Sequence, residues 1–575
     1  MAGHEKVLTK EIVVESDRPL IVQSDKTLFL EVDSPNFAEV RDHLGAFAEL
    51  IKCPEHIHTY RISPLSLWNA ASAGMTSDEV IKILRRYSRY PVPPNVETDI
   101  AESMRRYGRL VLEKDDSGLL LRSDDSLLLD GLSRQKTVAP YMTERLDPCT
   151  FRVGGEYRGN LKQNLIKLGY PVRDIAGYVP GASLTVNLKD TTQAGKSFYL
   201  RDYQKDAVAA FYRDGSREGG SGVVVLPCGA GKTVVGLGVI AAMQTHTLIL
   251  VTNVVALRQW KREIVDKTFV DPDTVCEYSG DAKEIGPITV ATYQILTYRK
   301  KKSDGFPHLG LFAVRDWGLI IYDEVHLLPA PVFRITAEIQ ARRRLGLTAT
   351  LVREDRLEED VFSLIGPKCF DVPWKVLEEQ GWIATAECHE VRIPFPLEER
   401  RKYVLEPPRL QFRIASENPL KMPVVEEILR RHQGSRTLVI GQYLSQLRIV
   451  ADELNCPLIT GSTPNKVRED LYEKFRQGEI LTLVVSKVAN FAIDLPEAHV
   501  AIQISGTFGS RQEEAQRLGR ILRPKSDGAI AHFYTLVTRD SNETEFAQKR
   551  QLFLTEQGYK YHLESADIYV PDLAA

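Results

Sequence analysis

The sequence predicts an α/β chain: two successive parallel-sheet lobes preceded by smaller α+β domains. Three observations carry this. Apolar strand-like runs at 223–226, 247–251, 288–291, 319–322 and 345–348 alternate with helical segments, which implies a parallel sheet with helices on both faces. A second set follows at 437–441, 457–460, 481–485, 500–504 and 529–534. The 575 residues are too many for one core, so three or four domains are expected.

Taken in order, residues 18–52 read as short strands and then an amphipathic helix from Phe37 to Ile51. Pro64 to Ala73 is helical. Thr76-Ser77-Asp78-Glu79 caps a second helix through Arg86. Pro93-Pro94 opens a third, which ends at Arg106-Tyr107-Gly108. Strands at Arg109–Glu113 and Leu119–Arg122 flank the turn Asp115-Asp116-Ser117-Gly118. Three helices and a β-wing make residues 57–126 winged-helix-like within an N-terminal α+β domain, 1–135. Arg85, Arg86, Arg89, Arg105, Arg106 and Arg109 make it locally basic. Such a module binds DNA or protein with comparable ease. Residues 136–197 carry a helix near Leu161–Leu168, a strand at Ser183–Leu188 and a polar linker at Asp190–Ser197.

The first lobe, 198–385, opens with Arg201 and Gln204. Gln204 offers a carbonyl and an amide, the two-sided edge that adenine needs. Then comes Leu226-Pro227-Cys228-Gly229-Ala230-Gly231-Lys232-Thr233 between an apolar strand and a helix. The glycines let backbone N–H groups turn inward on phosphate oxygens, and the helix adds its positive end. Lys232 can reach the β- and γ-phosphates, and the Thr233 hydroxyl can sit on Mg²⁺. The usual spacing places a glycine at 226, where this chain has leucine. Asp323 and Glu324 end the strand Leu319–Tyr322. Asp323 is the expected Mg²⁺-side carboxylate and Glu324 the expected base for the attacking water, because successive side chains diverge at a strand end. Hydrolysis of a nucleoside triphosphate follows as the expected chemistry. Thr252, Thr292 and Thr348, placed in loops or turns after strands, are candidates for contact with a phosphate backbone. Thr348 with Thr350 is also a candidate link from the γ-phosphate site to the neighbouring lobe.

The second lobe, 386–560, holds Gln516 to Arg523. Arg520 and Arg523 are three apart and share a helix face. Set across a cleft from Lys232 they act as arginine fingers, worth about 10³–10⁵ in rate in other phosphoryl-transfer systems. The other reading of such a cluster is a solvated basic helix. Asp494 and Gln516 are further nucleotide-side candidates. Residues 561–575 read as a tail. Pro396 to Tyr403 reads as a charged helix without a core stripe.

Net charge is −3, so nucleic acid is not announced by composition and any basic surface is local. The seven cysteines are dispersed with no Cys-x-x-Cys pair, which argues against a zinc or iron–sulfur framework and suits a reducing compartment. No stretch is long and apolar enough for a membrane span, so a soluble intracellular protein is expected.

The Gly229-x-Gly231-Lys232-Thr233 form, Asp323-Glu324-Val325-His326, Leu347 to Asp355, Ile365-Gly366-Pro367-Lys368, Ser486 to Ala498, Gln516 to Arg523 and Lys549 to Tyr559 together resemble the XPB (Rad25/Ssl2-like) helicases of DNA repair in superfamily 2. The resemblance covers about 198–560 and implies two RecA-like lobes with the nucleotide between them. It also implies ATP with Mg²⁺ as the energy source, DNA as partner, and 3′-to-5′ polarity. In that family the Arg353-Glu354-Asp355 element helps open the duplex, and a thumb-like insertion lies near 393–418. It further implies that 136–197 is a compressed damage-recognition-like region. The compact chain suits a bacterial or archaeal source and a cytoplasmic location; a eukaryotic member would be nuclear. Cutting of DNA would need a partner such as a structure-specific nuclease, engaged through the N-terminal domain or the thumb.

Overall fold

A computed structural model describes residues 17–52, 56–226, 230–301, 306–340, 342–348, 358–372, 377, 386–486, 498–506, 530–556, 560–571 and 573. Four short strands come first: β1 (Leu20–Val22), β2 (Thr27–Glu31), β3 (Glu49–Lys52) and β4 (Ile57–Arg61). They form an antiparallel sheet in the order β1-β2-β4-β3. Helices Phe37–Phe47, Pro64–Ser72, Ser77–Tyr87 and Pro94–Arg106 pack on it around Leu28, Leu44, Val80 and Ile100. The capping box at Thr76 is present: its hydroxyl accepts from the Glu79 amide at 3.3 Å, and Glu79 accepts from the Thr76 amide at 2.7 Å.

The hairpin expected as a wing does not serve these helices. Its strands β5 (Leu110–Asp115) and β6 (Gly118–Arg122) lie inside a five-stranded sheet with β7 (Met142–Asp147), β8 (Thr150–Val153) and β9 (Val172–Asp174), in the order β7-β8-β6-β5-β9. The apolar side chains explain the difference. Leu110, Leu112, Leu119 and Leu121 join Phe151, Leu161 and Leu165 in a core of their own, separate from that of the three helices. The strand expected at Ser183–Leu188 is an extended segment held by isolated bridges at Ser183 and Leu188, with Val186 buried in the next domain's core.

A buried ionic cluster ties this sheet to the first lobe. Asp174 accepts from Arg158 Nη2 at 2.7 Å and from Lys162 Nζ at 3.0 Å. Lys162 also donates to Gln340 Oε1 at 3.0 Å. Burial alone would raise the Asp174 carboxyl, but the charges of Lys162 and Arg158 hold it well below the usual range. Asp174→Ala leaves two cations buried without their shared acceptor, so stability falls by about 3–5 kcal/mol in denaturant unfolding. Because the folded pKa is depressed, the contribution of Asp174 is full above the unfolded carboxylate pKa and is lost as pH falls through the folded one.

The first lobe is a seven-stranded parallel sheet. Its strands are β10 (Ser221–Val225), β11 (Thr247–Val251), β12 (Val275–Tyr278), β13 (Ile288–Thr292), β14 (Leu319–Asp323), β15 (Arg343–Thr348) and β16 (Lys368–Asp371), in the order β12-β13-β11-β14-β15-β10-β16. The central strands are buried on both faces, as their unbroken apolar runs require. The second lobe repeats the plan with β17 (Ala386–Ile393), β18 (Thr437–Gly441), β19 (Leu458–Ile459), β20 (Thr482–Ser486), β21 (Val500–Gln503), β22 (Ala531–Thr538) and β23 (Lys560–Ser565), in the order β19-β20-β18-β21-β22-β17-β23.

The reading of 561–575 as a tail is overturned. β23 pairs in parallel with β17, and Ala566 and Tyr569 enter the core of this lobe. In the expected thumb, helix Leu397–Leu405 buries none of its residues, whereas Phe412, Ala415 and Ser416 of helix Pro408–Ser416 are buried. That second helix is anchored by Glu543, which accepts from Ser416 Oγ and Lys421 Nζ at 3.0 Å each. Among the described residues no helix is long and apolar enough to cross a membrane.

Candidate active site

β10 delivers the chain to the glycine loop, and helix Lys232–Met243 leaves it. Gly231 caps that helix at φ 83°, a left-handed turn, and a Cβ there would lie 2.5 Å from the Gln204 amide nitrogen. Gln204 is buried under the loop. Its Nε2 donates to the Ala230 carbonyl at 3.1 Å, and its Oε1 accepts from the Arg201 amide at 3.0 Å. Tyr203 Oη donates to the same Ala230 carbonyl at 2.7 Å, and Arg201 Nη1 donates to Tyr203 Oη at 3.0 Å. Arg201, Tyr203 and Gln204 thus brace the loop from below. In this arrangement both ends of the Gln204 amide already bond to the chain.

β14 brings the acids to the loop. Glu324 has φ 50°, strained for a residue with a side chain, and turns out of the strand line toward the helix start. Its Oε1 lies 3.0 Å from Lys232 Nζ, with side-chain exposures of 10% and 13%. Asp323 stays behind. Its Oδ2 accepts from Trp260 Nε1 at 2.8 Å and its Oδ1 from the Glu324 amide at 3.1 Å. Burial, with the Glu324 charge adding, pushes the Asp323 carboxyl up to about 6. Helix Val254–Lys267 brings in Trp260, and Gly236 makes room for it: a Cβ at 236 would stand 2.4 Å from the indole. The Tyr293 hydroxyl donates to the Asp323 carbonyl at 3.0 Å.

A second chain of contacts leads away from Glu324. His326 Nδ1 is 3.6 Å from Glu324 Oε2 and 2.6 Å from Thr348 Oγ1. The last residue of β15 is thereby joined to the acid strand. The oxygen donors here, Asp323 and Thr233, suit a hard divalent cation such as Mg²⁺. Lys232, in the first turn of its helix, suits phosphate.

Arg201, Gln204, Ala230, Gly231, Lys232, Thr233, Asp323 and Glu324 therefore gather at one end of the first sheet. Thr292 and Thr348 are 2% and 0% exposed, so the expected contact of their hydroxyls with a DNA backbone is not available in this arrangement. Thr292 instead accepts from the Ile295 amide at 3.3 Å, capping the next helix. Thr252 is partly exposed, but the segment after it is helix rather than loop. Pro227, Cys228, Gly229, Arg353, Glu354, Asp355, Asp494, Gln516, Arg520 and Arg523 lie outside the described residues. Sequence reasoning missed Trp260, Tyr203 and Tyr293. Their signal is the pairing of a large ring with a distant glycine or carbonyl, which linear spacing does not carry.

The family model described as the ERCC3/RAD25/XPB C-terminal helicase matches residues 377–570. The type III restriction enzyme res-subunit model matches 197–353, and a helicase conserved C-terminal domain model matches 20–147. Proteins named DNA 3′-5′ helicase XPB from Kineococcus radiotolerans and Mycobacterium tuberculosis are each 54% identical over 528 residues. That spans 92% of this chain and 93% and 94% of theirs. The Saccharomyces cerevisiae general transcription and DNA repair factor IIH helicase/translocase subunit XPB/SSL2 is 31% identical, over 93% of this chain and 71% of its own. With identity of this depth running through nearly the whole length, the chain belongs to the XPB family of DNA helicases.

Proposed function

We propose that this chain hydrolyses ATP at the Lys232–Asp323–Glu324 site and couples turnover to 3′-to-5′ movement on DNA and separation of its strands. The observation that carries this is the Lys232–Glu324 pair at 3.0 Å beside the buried, Trp260-held Asp323. An incoming phosphate competes for Lys232 and releases Glu324 to orient and deprotonate water. Asp323 and Thr233 would hold Mg²⁺, which when bound neutralises charge on the phosphates. His326 and Thr348 give Glu324 a route to the strand that precedes Arg353-Glu354-Asp355 in the chain, the element that would open the duplex.

Trp260→Phe removes the N–H that donates to Asp323, together with the outer edge of the indole that packs on Gly236. Turnover at limiting Mg²⁺ is expected to fall about 10–100-fold and to recover partly at high Mg²⁺. Arg353→Ala is expected to weaken unwinding of a forked duplex more than ATP turnover. Equal loss of both would remove that element from the mechanism. The function itself is tested by ATPase rates with single-stranded, forked and duplex DNA across a salt series, where phosphate contacts make affinity fall steeply with salt.

A second reading, translocation on duplex without unwinding, is favoured by the "helicase/translocase" naming of the eukaryotic relatives. Triplex displacement with no fork opening would select it. A third, an ATP-regulated subunit that loads a partner such as a structure-specific nuclease, draws on the thumb. Leu397, Val404 and Leu405 there are 65%, 69% and 85% exposed, an apolar surface suited to protein rather than to DNA.

A further inference from the structure

Three neighbouring strands of the second lobe bring histidines and glutamates together. β17 carries Glu387 and His389, β22 carries His532 and Tyr534, and β23 carries His562 and Glu564. The parallel register sets Glu387 beside His532, and His389 beside both Tyr534 and His562. A strand period of two puts these side chains on one face. The alternate residues Cys388 and Phe533 enter the core on the other face.

The resulting group is compact. His389 Nε2 lies 3.4 Å from His532 Nδ1. Glu387 Oε2 lies 3.9 Å from the first nitrogen and 3.8 Å from the second. The point equidistant from these three atoms is about 2.1 Å from each, the length of zinc bonds to imidazole nitrogen and carboxylate oxygen. The ring of His389 is also oriented. Its Nδ1 donates to Glu564 Oε1 at 2.9 Å, which in the neutral ring leaves the Nε2 lone pair facing the other two donors. Glu564 in turn accepts the Tyr569 hydroxyl. A carboxylate behind a histidine is the usual support of a zinc-bound imidazole. Stacking of His389 on Tyr534 and His562, with ring centroids 4.6 and 5.2 Å away, holds the ring further.

We propose that Glu387, His389 and His532 form a site for a divalent transition-metal ion such as zinc, with Glu564 as the positioning carboxylate. Such an ion joins β17 to β22 directly, and β23 through Glu564. It would fasten the C-terminal strand to the sheet. The donor set, two imidazoles and a carboxylate, prefers zinc over the magnesium of the nucleotide site, which takes oxygen ligands.

The test uses untagged full-length protein, stripped with chelator and free of nucleotide, titrated with Co²⁺ and then Zn²⁺. One equivalent of Co²⁺ is expected to bind with visible absorption bands, to be displaced by Zn²⁺, and Zn²⁺ is expected to raise the melting temperature. His532→Gln and Glu387→Gln should each abolish the bands. Glu564→Gln should weaken binding about 10–100-fold. Asp323→Asn, in the nucleotide site, should leave the bands in place. Retained DNA-stimulated ATP turnover checks the fold of the Glu387, His532 and Glu564 variants. If a ligand variant does not fold, Glu564→Gln decides, because it keeps all three ligands. Bands unchanged in the folded ligand variants, unchanged affinity in Glu564→Gln, or no metal taken up by the wild-type chain each overturns the site.

Discussion

Replacing Glu324 by glutamine is expected to lower DNA-stimulated ATP turnover by about 10²–10⁴-fold while MgATP binding is kept. Glutamine matches the shape of the side chain and cannot take a proton from water. The pairing with Lys232 sharpens the expectation. Glu324 sits 3.0 Å from the Lys232 amino group, where it competes with phosphate for the lysine. Removing its charge leaves binding unchanged or tighter. Lys232→Ala should behave differently, losing nucleotide affinity and turnover together, because the lysine meets the phosphates in both ground state and transition state. Equilibrium binding of a fluorescent nucleotide beside single-turnover hydrolysis separates the two. Turnover within tenfold of wild type in Glu324→Gln would remove that residue as the base.

Arg520→Ala and Arg523→Ala are expected to cost about 10³–10⁵ in turnover if each meets the transferring phosphoryl group as a finger. Their positions lie outside the described residues, so the expectation rests on the three-residue spacing in Gln516 to Arg523 and on the family. The measurement is single-turnover hydrolysis with saturating DNA. Affinity for DNA, measured in parallel, should change little. A loss confined to DNA affinity, with hydrolysis intact at saturation, would assign the cluster to DNA instead. Lysine at either position should restore little, because a point charge does not reproduce the guanidinium fork.

Much of the fold was legible because parallel strands buried on both faces write themselves as apolar runs. The runs at 247–251 and 437–441 coincide with β11 and β18 residue for residue. β12, β16, β17 and β23 were not legible. They are edge or near-edge strands of mixed polarity, as in Lys368-Cys369-Phe370-Asp371 and Lys560 to Ser565, and their strand identity comes from the neighbour they pair with. The hairpin 110–122 was read correctly as a hairpin and assigned to the wrong neighbours. Local turn chemistry at Asp115 to Gly118 fixes a hairpin, but not which core its leucines will fill.

The candidate site divides the same way. The glycine run, Lys232 and the adjacent acids Asp323 and Glu324 were legible along the chain, because phosphate binding and water activation require those residue types at close spacing. The packed fold set Gln204 against the Ala230 carbonyl and Trp260 on Asp323 across Gly236. It alone decided that Thr348 is buried on His326, and that Glu387, His389 and His532 converge on three atoms less than 4 Å apart. The reason is physical. Short-range backbone geometry is encoded where it occurs, whereas contacts between residues far apart in the chain are set by sheet order and register, which the hydrophobic cores select together.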